Sequence, residues 1–282
     1  MSTTTLGDGR LRSHGPELVT LSRETRAPRR RVRVPRGIER FAGVLLLVGA
    51  WQVASSTGML SADTLAGPFA VGKTGWHLVQ DGTLTSAMWV SLKRVLTGLA
   101  IGVPLATVLA LLAGLTRVGD DLVDAPMQML RFLPIIGLEP LIVLWFGIGD
   151  AAKISLIVFG VTFPLYINTY TAIRALDPRH FELARTVGLG RMGTIRRVVL
   201  PAVLPGFLTG LRLAAAVAWL ILVFAEQINA TNGIGYLMIK AQQFFQTDVI
   251  VVGLAVYALL GLFSDAVVRF LERKALAWQP SR

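Results

Sequence analysis

The chain has 282 residues, and among them are no cysteine, three histidines and only 16% charged side chains. Without cysteine there is no disulfide framework, no thiolate metal site and no cysteine nucleophile. His14, His77 and His180 are scattered along the chain, which argues against a histidine metal site. A soluble domain carries about 25% charged residues. Here 53% of residues are hydrophobic, and that much apolar surface needs shielding beyond what a small globular core provides. The composition points to an all-α polytopic membrane protein.

A helix needs about 20 mostly apolar residues to cross the hydrocarbon core. Uncharged runs cover residues 41–62, 95–116 and 154–173, each bounded by charged residues. Such runs have no polar face to offer to water. Three further stretches are interrupted. Residues 122–147 carry Asp124, Arg131 and Glu139 with Pro126, Pro134 and Pro140. Residues 206–227 carry Arg212 and Glu226, and residues 249–270 carry Asp265 and Arg269. Together these predict about six transmembrane helices. The first run is longer than a signal peptide's apolar region and lies behind a 40-residue arm, so it reads as a retained span. Pro104 and Pro164 also fall within apolar segments. Membrane helices tolerate such breaks where neighbours or water satisfy the freed carbonyls.

Lysine and arginine are distributed unevenly. Residues 1–40 hold ten Arg, the connection 174–205 holds six, and residues 269–282 hold four Lys+Arg. The alternate loops hold Lys73, Lys153 and Lys240, with Lys93 and Arg94 at one border. The positive-inside rule then puts both termini and the 174–205 loop in the cytoplasm. The basic clusters read as topology signals and anionic-lipid contacts, not as a nucleic-acid surface. The arm 1–40, rich in Arg, Ser and Thr, is expected to be disordered. Residues 41–273 form the membrane domain, and 274–282 a cytoplasmic tail.

Residues 67–74, Gly-Pro-Phe-Ala-Val-Gly-Lys-Thr, match the phosphate-loop pattern letter for letter. That loop works only between a buried strand and a helix, where its amides cradle phosphates. Residues 61–66 are not a convincing strand, and the loop falls on the outer side of the membrane. Nucleotide binding here is not expected.

The connection 174–205 carries the most information. Asp177 suits a helix N-cap, followed by Pro178 at the first helical position. Phe181, Leu183, Ala184 and Val187 form an apolar face, and Gly188 and Gly190 end the helix. A second amphipathic turn runs from Met192 to Leu200 and is expected to break at Pro201. An apolar knob flanked by arginines can insert into a groove on a partner protein. The same loop can equally be read as a basic, lipid-facing segment.

The order Glu182-Leu183-Ala184, Gly188, Val198, Leu200-Pro201 resembles the E-A-A-x3-G-x9-I-x-L-P loop of ABC importer permeases. Leu183 stands for the usual Ala and Val198 for Ile. The resemblance extends over about residues 41–279. Residues 145–149, 211–213, 233–237 and 241–248 are similar to the nitrate/sulfonate/taurine branch, and 241–248 with 257–261 are most similar to aliphatic-sulfonate permeases. It implies the type I importer fold, with two permease copies, a cytosolic ATPase dimer and an external substrate-binding protein. It also implies that Glu182, Ala184, Gly188 and Pro201 couple the chain to the ATPase. ATP would be bound by that partner, so the chain itself needs no cofactor and performs no covalent chemistry. Taurine, nitrate or a thiamine-precursor pyrimidine are alternative cargoes within the branch.

Ionisable residues at membrane depth are the remaining candidates, because leaving them unpaired in lipid costs several kcal/mol. Arg131, Glu139, Arg212 and Glu226 qualify, either along a translocation path or in structural ion pairs. Arg131 or Arg212 can offer positive potential to an anion, whereas Arg212 can also snorkel toward the cytoplasmic end. Glu139 would repel an anion and is expected to be paired or near the outer surface. A secondary transporter would show inverted repeats and intramembrane acids for ion coupling, and no such repeat is visible. An intramembrane enzyme would need a nucleophile–base pair or a metal cluster, and the predicted spans contain neither His nor Cys.

Overall fold

The computed structural model describes residues 36–61, 64–228 and 230–277, with side chains from Ala42 onward. The expectation of disorder for residues 1–40 concerns residues that lie almost wholly outside this range, as do the last five of the tail. The described residues fall into two units, divided between Leu45 and Leu46. Helix α1 (Arg36–Ser56) begins in the first unit and ends in the second. The rest of the second unit is helical: α2 (Pro68–Gln80), α3 (Thr83–Leu115), α4 (Arg117–Leu130), α5 (Ile135–Phe146), α6 (Asp150–Arg174), α7 (Pro178–Thr186), α8 (Arg191–Gln227), α9 (Ile234–Gln243) and α10 (Thr247–Ala275). No strand occurs among the described residues.

Four of these, α3, α6, α8 and α10, are long and apolar enough to cross a membrane. Helices α4 and α5 form a fifth crossing element bent by 95°. The break falls at Pro134, whose extended backbone (φ −69°, ψ 102°) stands at the corner. Pro126 follows the π-turn Asp120–Asp124 within α4, and Pro140 follows the 3₁₀ turn Ile135–Leu138 within α5, each in the first turn of a new hydrogen-bond register where the missing N–H is tolerated. The apolar part of α1, Ala42–Ser56, is shorter than a full span. Six is therefore an approximate count.

Small residues set the helix packing. On α3 a stripe of Gly98, Gly102, Ala106, Ala110 and Ala113 is buried. A Cβ at Gly98 would collide with Ile157 and one at Gly102 with Val161, while Gly114 meets Ile173. Small residues let backbones approach where the hydrophobic effect gives no preference between lipid and protein. The paired numbers rise together, so α3 and α6 run parallel. Consequently the chain between Leu115 and Asp150 must return across the whole bundle, which is the task of the bent α4–α5 pair. Gly160 meets Ile221, Gly210 meets Leu165 and Gly206 meets Ala172, so α8 runs antiparallel to α6. Trp219 Nε1 donates to Ser264 and Arg212 to Asp265, so α10 is antiparallel to α8. Leu96, Ile101, Leu105, Leu112, Leu254, Leu262 and Phe263 remain exposed on α3 and α10, as side chains facing hydrocarbon do.

Candidate functional site

The bundle has two chemically different ends. At one lies the 174–205 connection. Asp177 caps α7, its Oδ1 accepting from the Arg179 amide at 2.9 Å, with Pro178 in the first turn. At the far end Leu189 N donates to Ala184 O at 2.9 Å and Gly188 N to Arg185 O at 2.9 Å. These two bonds make a Schellman stop, with Gly188 in the left-handed region at φ +75°. The expected apolar face divides in two. Ala184 is 3% exposed, and Phe181 packs on Ile173, Val199 and Val203. Leu183 and Val187, one turn apart, stand 64% and 69% exposed. Glu182 is exposed beside them, and Ala184 and Pro201 line one cavity with Val198 and Leu189. Of the four loop residues picked from sequence, Ala184 and Pro201 meet at this cavity, while Glu182 lies on the exposed side of α7 and Gly188 ends it.

Pro201 does not break the second helix as expected. α8 starts at Arg191 and continues through it to Gln227. A π-turn at Ile195–Val199 precedes the proline and resets the hydrogen-bond register. Pro201 then occupies the first turn of the α-helical segment that follows, where an absent N–H is tolerated.

The opposite end holds a buried charge cluster around Glu226, which is 1% exposed. Arg94 Nη1 donates to Glu226 Oε1 at 2.6 Å and to the Asn232 carbonyl at 2.9 Å. Its Nη2 and Nε donate to Asp150 Oδ1 at 2.6 and 2.9 Å, and Nη2 also bonds the Asn232 side chain. Ser91 Oγ, one helical turn before Arg94, lies 2.8 Å from both Glu226 oxygens and accepts from Ile234 N. Tyr257 Oη and Gly235 N complete the carboxylate's partners at 2.9 and 3.0 Å. One guanidinium and one carboxylate therefore tie α3, α6, α8, α9 and α10 together. Asp150 itself is 63% exposed at its side chain, so the cluster opens to solvent on one side.

Of the other ionisable candidates, Arg212 pairs with Asp265 at 2.5 Å, which also takes Arg269 at 2.8 Å. That geometry fits a structural ion pair between α8 and α10. Arg131 lies at the α4–α5 corner, its guanidinium 4.7 Å from the centre of the Phe132 ring. It lines a small cavity with Gln128, Phe163 and Tyr166, and enters no salt bridge among the described residues. Glu139 is 5% exposed, at the start of the α-helical part of α5, within the field of the buried Lys153. Glu139 and Glu226 both lie within the field of Lys153, whereas Arg131 and Arg212 stand elsewhere. Sequence reading missed Ser91, Arg94, Asp150, Asn232 and Tyr257, having placed Arg94 at the border of a span. The available signal was the spacing of Ser91 and Arg94, which puts both on one face of a helix extended toward Thr83.

Residues 67–74 form no phosphate loop. Gly67 is the N-cap of α2, and Val71 N already bonds Gly67 O at 3.0 Å. The Thr74 hydroxyl donates to Asp248 at 2.6 Å instead of awaiting a magnesium ion.

Comparison with known proteins agrees with this architecture. A family model described as the inner membrane component of binding-protein-dependent transport systems matches residues 102–276. An aliphatic sulfonates transport permease protein of Escherichia coli is 44% identical over 83% of this chain and 89% of its own length. Its namesake in Bacillus subtilis is 38% identical over 85% of this chain and 88% of its own length. Among solved structures, an amino acid ABC transporter chain aligns over 70% of this chain and 96% of its own, with a TM-score of 0.57 at 17% identity. That likeness concerns the fold alone.

Proposed function

Because the chain belongs to the inner membrane components of binding-protein-dependent transport systems, a multi-pass and non-enzymatic class, we propose that it is the permease subunit of an ATP-driven importer of aliphatic sulfonates. The observation that carries the mechanism is the exposed Leu183–Val187 pair on a doubly capped helix. Apolar side chains one turn apart, on a helix too short to cross the membrane, suit a groove on a cytosolic ATPase. The excess of arginine in 174–205 supports placing that loop, and both termini, in the cytoplasm.

In this reading a second copy of the chain completes the pathway, and an external binding protein delivers the solute. Closure of the ATPase dimer displaces α7. The motion passes through Phe181 and Ala184 to Val199 and Val203 on α8 and to Ile173 on α6. The direction of transport comes from partners that bind one conformation better than the other. Arg131, at the bent corner and without a carboxylate partner among the described residues, is the side chain proposed to meet the anion. Arg212 is held by Asp265 and serves packing.

Reconstitution with an ATPase and a binding protein from the same transport system, followed by uptake of a labelled alkanesulfonate, tests the proposal. Uptake is expected only with ATP and binding protein together. Uptake driven by an ion gradient alone would point to a secondary transporter.

A further inference from the structure

A cavity of about 530 Å³ opens where the end of α3 meets α7 and the start of α8. Its floor is apolar, formed by Leu115, Phe181 and Val199, and Arg185, Arg191 and Thr194 stand at its rim. Both arginines are exposed, and neither enters a salt bridge among the described residues. Leu112, one turn before Leu115, is 49% exposed, so the hydrocarbon-facing side of α3 leads to the cavity mouth. The cavity therefore joins an apolar flank to two unneutralised guanidinium groups at the level where α3 ends.

We propose that this cavity seats an anionic phospholipid, its phosphate between Arg185 and Arg191 and the start of an acyl chain along Leu112 and Leu115. Guanidinium groups match phosphate with paired, charge-assisted hydrogen bonds. An apolar floor continuous with a membrane face excludes a freely soluble anion as the best fit, because such a ligand gains nothing from Leu115 and Phe181. Charge complementarity decides among lipids, since a zwitterionic headgroup brings its own cation to a rim already doubly positive. The inference rests on the proposed cytoplasmic side for the 174–205 loop, where the leaflet supplies anionic lipid. Its consequence is that lipid and ATPase act on two sides of the same short helix. The lipid holds α7 against α3, while Leu183 and Val187 stay free for the partner.

The test uses the full chain, purified and placed in nanodiscs of phosphatidylcholine with a trace of labelled phosphatidylglycerol. Retention of the label is compared for wild type, Arg185→Gln/Arg191→Gln and the charge-matched control Arg179→Gln/Arg196→Gln. With about 1 kcal/mol per basic residue near an anionic headgroup, loss of the rim pair should weaken retention by about tenfold or more. The control pair should change it by less than about threefold. Leu115→Trp, which fills the cavity and keeps every charge, should also release the label. Equal losses from the two arginine pairs would show diffuse attraction and overturn the site. Displacement by millimolar glycerol phosphate would reassign it to a soluble anion. Loss of the lipid on adding the ATPase would assign the cavity to that partner. Retention is read on the chain alone, so it stands or falls separately from ATP-driven uptake.

Discussion

Arg94 and Glu226 meet at 2.6 Å with their side chains 4% and 0% exposed, 132 positions apart in the sequence. The carboxylate also takes Ser91, Tyr257 and the Gly235 amide, and the guanidinium also takes Asp150 and Asn232. Breaking a buried pair from one side leaves an uncompensated charge and costs about 3–5 kcal/mol. Arg94→Ala is therefore expected to lower the thermal unfolding midpoint of the purified chain strongly. Glu226→Gln should do less, because an amide oxygen still accepts from Ser91 or Tyr257 and Arg94 keeps Asp150. An Arg94→Ala protein that melts like wild type would remove the cluster's structural role.

Gly188 should separate coupling from folding. Its φ of +75° disfavours any L side chain by roughly 1–2 kcal/mol, although its Cβ direction is open space. Gly188→Val is expected to fray the end of α7, leave insertion and melting of the bundle nearly unchanged, and reduce ATP-driven uptake. Unaltered uptake would count against docking through this helix. Leu183→Asp should act the same way without touching the backbone.

How far these features could be read from sequence depends on the range of the interactions behind them. The α7 helix was legible because its signals are local: Asp177 and Pro178 at one end, Gly188 at the other, apolar residues between. The uncharged runs 95–116 and 154–173 marked spans for the same reason, whereas in the run 41–62 the helix stops at Ser56. Arg94 was misplaced because a run is read as starting after the last charge, whereas α3 begins eleven residues earlier at Thr83. What makes a charge acceptable inside that helix is Glu226, and no periodicity within α3 reports a carboxylate on α8. Pro201 was misread as a breaker because the rule for proline assumes a regular α-helical register. The π-turn before it, which removes the conflict, has no simple sequence mark.

The α3–α6 contact gives a test of close packing. A methyl group at Gly98 would overlap the Ile157 side chain, which has no free space because it is fully buried. Gly98→Ala is expected to destabilise the bundle by about 1–3 kcal/mol, the usual range for overpacking. Ile157→Ala alone should also destabilise it, through a cavity. Combined, the two should be less harmful than the sum of their separate effects, since each relieves the other's defect. Additive losses in thermal unfolding would show that the helices do not meet at this pair.

Arg131 and Arg212 offer the sharpest contrast for the translocation path, since both are arginines inside or beside apolar segments but differ in their partners. Asp265 holds Arg212 at 2.5 Å, and Arg269 shares the same carboxylate, so Arg212→Gln leaves Asp265 with a cation. Partly exposed pairs of this kind contribute about 0–1 kcal/mol. Uptake by Arg212→Gln should stay within about twofold of wild type. Arg131 sits instead at the 95° corner, over the Phe132 ring and beside a cavity reaching Tyr166. If an anion passes that corner, Arg131→Gln removes the positive charge that attracts it, and the concentration for half-maximal uptake should rise about tenfold. Arg131→Lys keeps the charge and should recover most of that loss, which a purely structural arginine stacked on Phe132 would not predict. A half-maximal concentration unchanged in Arg131→Gln but raised in Arg212→Gln would exchange the two assignments.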